Sequence, residues 1–186
     1  LPARTKTKLR RPLKQIKALK EKAKELLEKP VQARPPGFCV GCPERPFFTA
    51  MKLVEKQTGP MHVSADIGCH TFSTLPPFNI GNTVLGYGLG LASSAGVAPA
   101  FGEKRVISIM GDGGFWHNGL TSGIGNAVFN KSDGLTIVVD NNYSAATGGQ
   151  DLLSSKGSPK NRSTQHPIEE AAKGIGVKWT RTVRTY

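Results

Sequence analysis

The sequence predicts an α/β protein: a doubly wound, mostly parallel sheet with helices on both faces, preceded by a basic helical arm. Three observations carry that expectation. Residues 105–110 and Leu135–Val139 are short, apolar and rich in β-branched side chains, so they read as buried strands. Residues 117–131 lie between them and have the length of a crossover helix. Each strand is followed by turn-forming residues, Gly111-Asp112-Gly113-Gly114 after the first and Asp140-Asn141-Asn142 after the second. Strands that alternate with helices in this way form parallel sheets, and ligands bind at the carboxyl ends of such strands.

The other elements follow in chain order. Leu13, Ile16, Leu19, Ala23, Leu26 and Leu27 recur every three to four residues, which predicts an amphipathic helix over residues 13–29, ended by Pro30 and Pro35-Pro36. Residues 44–56 read as a helix whose apolar face is Phe47, Phe48, Met51, Leu53 and Val54, stopped by Gly59-Pro60. Residues 61–65 read as a strand leading to a loop at Cys69, and Pro76-Pro77 predicts an extended stretch beyond it. Residues 81–98, rich in Gly, Ala and Ser, predict a closely packed helix. Residues 154–164 read as a mobile stretch. Ile168–Gly174 reads as a short helix entered at Pro167, and residues 177–183 as a last strand. No internal repeat is visible.

At 186 residues the chain is long enough for one domain with a proper core. No apolar run approaches the length of a membrane span and no signal peptide is visible, so a cytoplasmic protein is expected. A start at Leu1 and an end at Tyr186, in mid-strand on this reading, are expected of a piece of a longer polypeptide or the ordered part of one. The expected division is an arm over residues 1–36 and a domain over residues 37–186, cut short at its C-terminus. Charge supports the division. Residues 1–36 hold twelve Lys and Arg against three Glu, so nine of the net +12 charges sit in the arm. A basic amphipathic helix suits a nucleic acid or a membrane surface. The arm has no aromatic residue to stack on bases, which favours a linker helix packed on a neighbouring domain or subunit. It also suits docking of an acidic electron carrier.

The residue types at the two turns suit a divalent cation on a diphosphate. Mg²⁺ takes hard oxygen ligands, one or two from protein and the rest from phosphate and water. Asp112 offers a carboxylate, Asn141 a carboxamide oxygen and Tyr143 its backbone carbonyl. Gly111, Gly113 and Gly114 let the backbone approach a phosphate closely. A helix opening near His117 is expected to aim its free N–H groups at that phosphate. His70 and His117 are candidate contacts to the diphosphate or substrate, or else capping or partly buried histidines.

Three cysteines are too few to build a disulfide fold. Cys39 and Cys42 form a C-x-x-C turn, and Cys69 follows 26 intervening residues later. That spacing suits zinc or an iron–sulfur cluster, and reduced cysteines without metal also account for it.

Several of these stretches together resemble one family. Gly-Asp-Gly followed about thirty residues later by an Asn-bearing turn is similar to the thiamine diphosphate motif. Tyr143-Ser-Ala-Ala-Thr147-Gly-Gly-Gln150 resembles the 2-oxoacid:ferredoxin oxidoreductases. Cys39-Val-Gly-Cys42-Pro-Glu-Arg45, Asp66-Ile-Gly-Cys69-His-Thr71, Leu75-Pro-Pro-Phe-Asn79 and Asn126-Ala-Val-Phe-Asn-Lys-Ser132 resemble the indolepyruvate ferredoxin oxidoreductase branch. The resemblance covers residues 34–157.

The resemblance implies a thiamine diphosphate-binding domain of diphosphate-binding type, with Gly111, Asp112, Gly113, Gly114, Asn141, Tyr143, Thr147, His70 and His117 at the cofactor and Asp112, Asn141 and Tyr143 on Mg²⁺. It implies a [4Fe–4S] cluster on Cys39, Cys42 and Cys69. No cysteine follows Cys69, so the fourth ligand is expected from outside this chain. The implied reaction is oxidative decarboxylation of a 2-oxoacid, such as indolepyruvate or another aryl pyruvate, to its acyl-CoA. Electrons pass through the cluster to ferredoxin. The implied partners are a pyrimidine-binding domain and further domains of the same enzyme, a gamma/beta-type subunit, ferredoxin, coenzyme A and the 2-oxoacid, with no nucleic acid and no membrane span. No glutamate of this chain stands in a context that suits activation of the aminopyrimidine, so that residue is expected from another domain. Two other readings fit part of the pattern. A non-oxidative thiamine diphosphate decarboxylase or carboligase with structural cysteines shares the turns. A zinc-stabilised nucleic-acid-binding module accounts for the arm and the C-x-x-C but leaves Asp112 and Asn141 without work.

Overall fold

The structure, a computed structural model, describes residues 3–28, 34–157 and 162–185, with backbone only over residues 3–11. It divides into two compact units, Leu1–Pro36 and Gly37–Tyr186. In the first, helix α1 runs Ala3–Leu26. It starts ten residues before the apolar repeat and carries Pro12 inside it. Lys29 and Pro30 lie outside the described residues. Leu13, Ile16, Leu19 and Leu26 are all exposed, so no described residue of its own unit covers the apolar stripe.

The second unit is built on four parallel strands in the order β2-β1-β3-β4, namely β1 Val63–Ala65, β2 Thr83–Val84, β3 Ile107–Gly111 and β4 Leu135–Val139. Helices cover both faces, as alternation along a strand requires. On one face Ile107 and Ile109 pack with Phe48 and Met51 of α2 (Glu44–Thr58), together with Phe38, Phe78, Val63 and Ile80. On the other, Met110 packs with Leu91 of α3 (Gly90–Val97), with Phe115 and Ile124, and with Ala172 of α5 (Ile168–Gly174). The predicted apolar face of α2 is narrower than expected. Leu53 and Val54 are exposed, because only residues in register with Glu44, Phe48 and Met51 turn inward.

Several expectations are corrected. Residues 81–98 are not one helix. Thr83 and Val84 pair with Ser64 and Ala65 as β2, and Gly86 and Gly88, both at positive φ, turn the chain before α3 begins at Gly90. The Pro76-Pro77 stretch is a turn with a cis peptide bond, not extended chain. The glycine stretch after β3 is not a loop. The helix begins at Asp112, five residues before His117, and runs without a break through Asp112–Gly114, Phe115–Gly125 and Asn126–Phe129; this whole run is α4. Its middle part is widened to π geometry, a departure that recurs at functional sites.

Residues 177–185 form no strand, since no neighbouring strand is hydrogen-bonded to them. They are clasped instead to α5: Glu169 accepts from Lys173 (2.6 Å), Thr180 (2.8 Å) and Thr182 (2.9 Å). In the stretch expected to be mobile, residues 158–161 lie outside the described residues, but Ser154 and Ser155 are buried and bonded. Trp116 Nε1 donates to Ser154 Oγ (3.0 Å), and Ser155 Oγ donates to the Asn142 carbonyl.

The Glu169 clasp carries a prediction. Hydrogen bonds from Lys173, then Thr180 and Thr182, hold its carboxyl down to about 2. A depressed pKa contributes stability that is complete above the ordinary value of 4.5 and is lost as pH falls through about 2. Glu169→Ala is therefore expected to speed amide exchange over residues 178–184 at pH 7 and leave β1 and β3 protected. In the wild type the same acceleration is expected only between pH 4.5 and 2. Hydrogen-exchange mass spectrometry checks both.

Candidate functional site

The site grows out of strand register. Gly111 pairs with Val139 at the carboxyl ends of β3 and β4, so the next residues, Asp112 and Asp140-Asn141, leave the sheet side by side. The carboxyl end of β1 opens on the same edge, where Asp66 N–H donates to the Ile109 carbonyl (3.0 Å) and Gly68, Cys69 and His70 follow. A cleft lies there, lined by Glu44, Gly68, Cys69, His70, Tyr87, Gly111, Asp112, Gly113, Gly114, Asn141 and Ser144.

Asp112 is almost fully buried. Its Oδ1 accepts from Gly113 N–H (2.8 Å) and its Oδ2 from Asn141 N–H (3.1 Å). Burial pushes its carboxyl up to about 6; the Gly113 bond opposes this, and the neighbouring Asp140 adds to it. The end of the Asn141 amide nearest Asp112 lies 3.3 Å from Asp112 Oδ2 and 2.6 Å from the Tyr143 carbonyl oxygen. Both neighbours are acceptors. Without a cation the amide must turn its NH₂ toward them; with one, its oxygen makes a third hard ligand, which is a donor set that suits Mg²⁺. Asn142 makes this turn at φ +70°, a left-handed conformation that asparagine tolerates better than most residues.

Two glycines are required by close approach. A Cβ on Gly114 would collide with Asp66 Oδ2, and a Cβ on Gly113 with the Tyr87 hydroxyl. Asp66 is fully buried and acts as a pin. Its Oδ2 accepts from Gly88 N–H (2.7 Å) and its Oδ1 lies against His70 Nε2. The Tyr87 hydroxyl bonds Ser144 Oγ (2.6 Å), which also meets Thr147 Oγ1 (3.0 Å).

The expected residues therefore divide. Gly111, Asp112, Gly113, Gly114, Asn141 and the Tyr143 carbonyl come together. His70 lines the cleft, but its Nε2 is taken by Asp66. His117 does not line the cleft. It is exposed, with its ring against Tyr87 at 5.2 Å, because the helix starts earlier than its position suggested. Thr147 is exposed and its hydroxyl donates to Gln150 Oε1 (2.6 Å), so it closes the loop and does not face the cleft. Asp66, Tyr87 and Ser144 carry no signal in the sequence, since only the fold brings them to the cleft edge. Glu44 likewise carries no local signal of its place in the cleft lining.

Cys39, Cys42 and Cys69 are free thiols near one another. Burial, then the charge of Glu44 and the neighbouring thiols, pushes the Cys69 thiol up, and burial also raises Cys42. Arg45 shapes their turn by donating to the Phe38 and Cys39 carbonyls. Among the described residues, no three His, Cys, Asp or Glu side chains are gathered closely enough to hold a metal ion. The cysteines are neighbours, but they are not assembled into a ligand set.

Residues 66–186 match the family model described as "Thiamine pyrophosphate enzyme, C-terminal TPP binding domain". The chain belongs to that thiamine pyrophosphate enzyme family. It is 34% identical to indolepyruvate oxidoreductase subunit IorA of Thermococcus kodakarensis over 84% of this chain and 26% of that protein. It is 32% identical to the IorA subunit of Pyrococcus horikoshii over 89% of this chain and 27% of that protein. The chain thus spans about a quarter of the length of these curated relatives. The solved structure of 2-oxoglutarate:ferredoxin oxidoreductase from Magnetococcus marinus superposes with a TM-score of 0.58, at 19% identity, over 73% of this chain and 47% of that one. This likeness gives the parallel α/β fold of a thiamine pyrophosphate-binding domain. No helix among the described residues is long and apolar enough to cross a membrane.

Crowding at Gly113 makes a prediction for this thiamine pyrophosphate domain. Gly113→Ala should displace Tyr87 from Ser144 and cost about 1–3 kcal/mol of stability. Thermal unfolding checks the cost. Tyr87→Phe, which loses only the hydroxyl bond, should cost about 0.5–1.5 kcal/mol.

Proposed function

We propose that this chain supplies the diphosphate and Mg²⁺ half of the active site of a 2-oxoacid oxidoreductase that uses thiamine diphosphate. The observation that carries the reading is the convergence of the Asp112 carboxylate, the Asn141 amide and the Tyr143 carbonyl at the mouth of the cleft. Asp112, Asn141 and Tyr143 would hold Mg²⁺, and Gly111, Gly113 and Gly114 would admit the diphosphate. When bound, the cofactor supplies the electron sink that decarboxylation needs. The protein's part is position and charge neutralisation: two carboxylate oxygens fixed by backbone N–H groups, and a glycine surface with no side chain in the way.

The substrate we propose is indolepyruvate or another aryl pyruvate, with coenzyme A taking the acyl group and ferredoxin the electrons. Similarity to IorA subunits supports this. The proposed electron outlet is a [4Fe–4S] cluster at Cys39, Cys42 and Cys69 with its fourth ligand from outside this chain. Among the described residues the three thiols are neighbours without being gathered into a ligand set. The proposed partners are a pyrimidine-binding domain that brings the activating glutamate, further domains and a second subunit, and the proposed compartment is the cytoplasm.

Two measurements test the reading. Titration calorimetry should show thiamine diphosphate binding that needs Mg²⁺, is abolished by EDTA, and weakens at least about tenfold on Asp112→Asn. Binding that ignores both the metal and the substitution would sink the site assignment. Anaerobic analysis of the intact native enzyme should find about four irons and four sulfides at this site, lost on Cys42→Ala. Zinc or no metal there would move the function to non-redox decarboxylation or ligation. Residues 1–186 alone should show no turnover of indolepyruvate.

A further inference from the structure

The turn that carries Asn141 and Tyr143 is braced by two serines from the loop beyond it. Ser154 and Ser155 are buried, although Leu153 and Lys156 on either side are exposed. Ser154 Oγ accepts from Trp116 Nε1 (3.0 Å), which ties the brace to α4, the helix that opens on Asp112. Ser155 Oγ accepts from Leu152 N–H (2.8 Å) and donates to the Asn142 carbonyl. A hydroxyl has one proton, so the bond from Leu152 to its oxygen leaves that proton for Asn142. The backbone of the brace is anchored again: Gln165 N–H donates to the Ser155 carbonyl (3.1 Å) and His166 N–H to the Leu153 carbonyl (2.8 Å).

Asn142 stands between Asn141 and Tyr143 in a conformation that local preference does not favour. Its φ is +70°, and its side-chain Oδ1 is buried with no hydrogen-bond partner. Such a state persists only when its surroundings hold it. The Ser155 bond does so by fixing the plane of the peptide between Asn142 and Tyr143. That sets ψ of Asn142 and φ of Tyr143, two of the dihedrals that decide where the Tyr143 carbonyl points relative to the Asn141 amide. The near end of that amide lies 2.6 Å from the Tyr143 carbonyl oxygen and 3.3 Å from Asp112 Oδ2. Mg²⁺ demands near-ideal octahedral geometry and is sensitive to small rotations of such groups, whereas Ca²⁺ tolerates them.

We propose that Ser155 is a positioning residue for the divalent cation, holding the Asn142 carbonyl so that Asn141 and Tyr143 face Asp112 at the spacing Mg²⁺ requires. Trp116 sets the brace against the helix that carries Asp112. This rests on the metal–diphosphate reading above. Ser155 acts through the turn and contributes no ligand.

The experiment is calorimetry on the intact enzyme with two probes, Mg²⁺ with thiamine diphosphate and Ca²⁺ with thiamine diphosphate. Ser155→Ala removes the hydroxyl, Ser155→Thr keeps it, and Trp116→Phe keeps an aromatic ring without the N–H. Ser155→Ala is expected to weaken the Mg²⁺ probe at least about tenfold and the Ca²⁺ probe less than about threefold. Ser155→Thr should stay within about threefold of wild type for Mg²⁺, with Trp116→Phe between the two serine variants. Unchanged Mg²⁺ affinity in Ser155→Ala, equal losses for the two cations, or a loss in Ser155→Thr as large as in Ser155→Ala would make the serine a structural residue and overturn the proposal. A wild-type enzyme that binds neither probe, or binds both regardless of Asp112→Asn, would instead refute the metal reading on which it rests.

Discussion

The in-register pairing of β3 with β4 governs where every polar group of the cleft stands. Five residue pairs, from Ile107 with Leu135 to Gly111 with Val139, bring two stretches of chain to the same edge at the same height. Asp112 then reaches the backbone N–H of Asn141, 29 positions away in sequence. A shift of one residue would turn Ile109 and Met110 to the wrong cores and move Asp112 off Asn141 together. The two hydrophobic clusters therefore hold the site geometry as well as the fold, because each side chain buried on either face resists that slip.

Around that edge, packing is close enough to exclude side chains. Asp66 is buried at the end of β1, and its carboxylate ties the Gly88 turn and faces His70. Tyr87, one residue before Gly88, reaches over Gly113 to Ser144 in the loop that follows β4. One network thus joins the ends of β1, β3 and β4. It consists of short polar groups and glycines, because α4 starts directly at Asp112 and any Cβ at Gly113 or Gly114 would strike it. The helix begins there without a connecting loop, so its first N–H groups and the Asp112 carboxylate share one small space.

The cysteine turn lies beside this network without being completed by it. Arg45 fixes the carbonyls of the turn, and burial keeps the Cys42 and Cys69 thiols raised. Glu44 connects the two regions, since it follows the turn in sequence and lines the cleft in space.

The sequence by itself determined the fold class, the two principal strands and the polar residues that gather at their carboxyl ends. These features follow from local rules: β-branched apolar runs make buried strands, and Asp, Asn and Gly at their carboxyl ends make a polar edge. The helix at Ile168–Gly174 was legible for the same reason, with Pro167 marking its start. Tertiary structure decided what depends on partners distant in sequence. Thr83 and Val84 are a strand only because β1 lies beside them, and residues 177–185 are not one because no strand does. The early start of α4 leaves His117 exposed against Tyr87, and Thr147 bonds Gln150 and Ser144 within its own loop, placements that no local rule fixes. Asp66, Tyr87, Ser144 and Glu44 carry no local signature. Their places at the cleft come from burial and, for the first three, from neighbours 22 to 57 positions away.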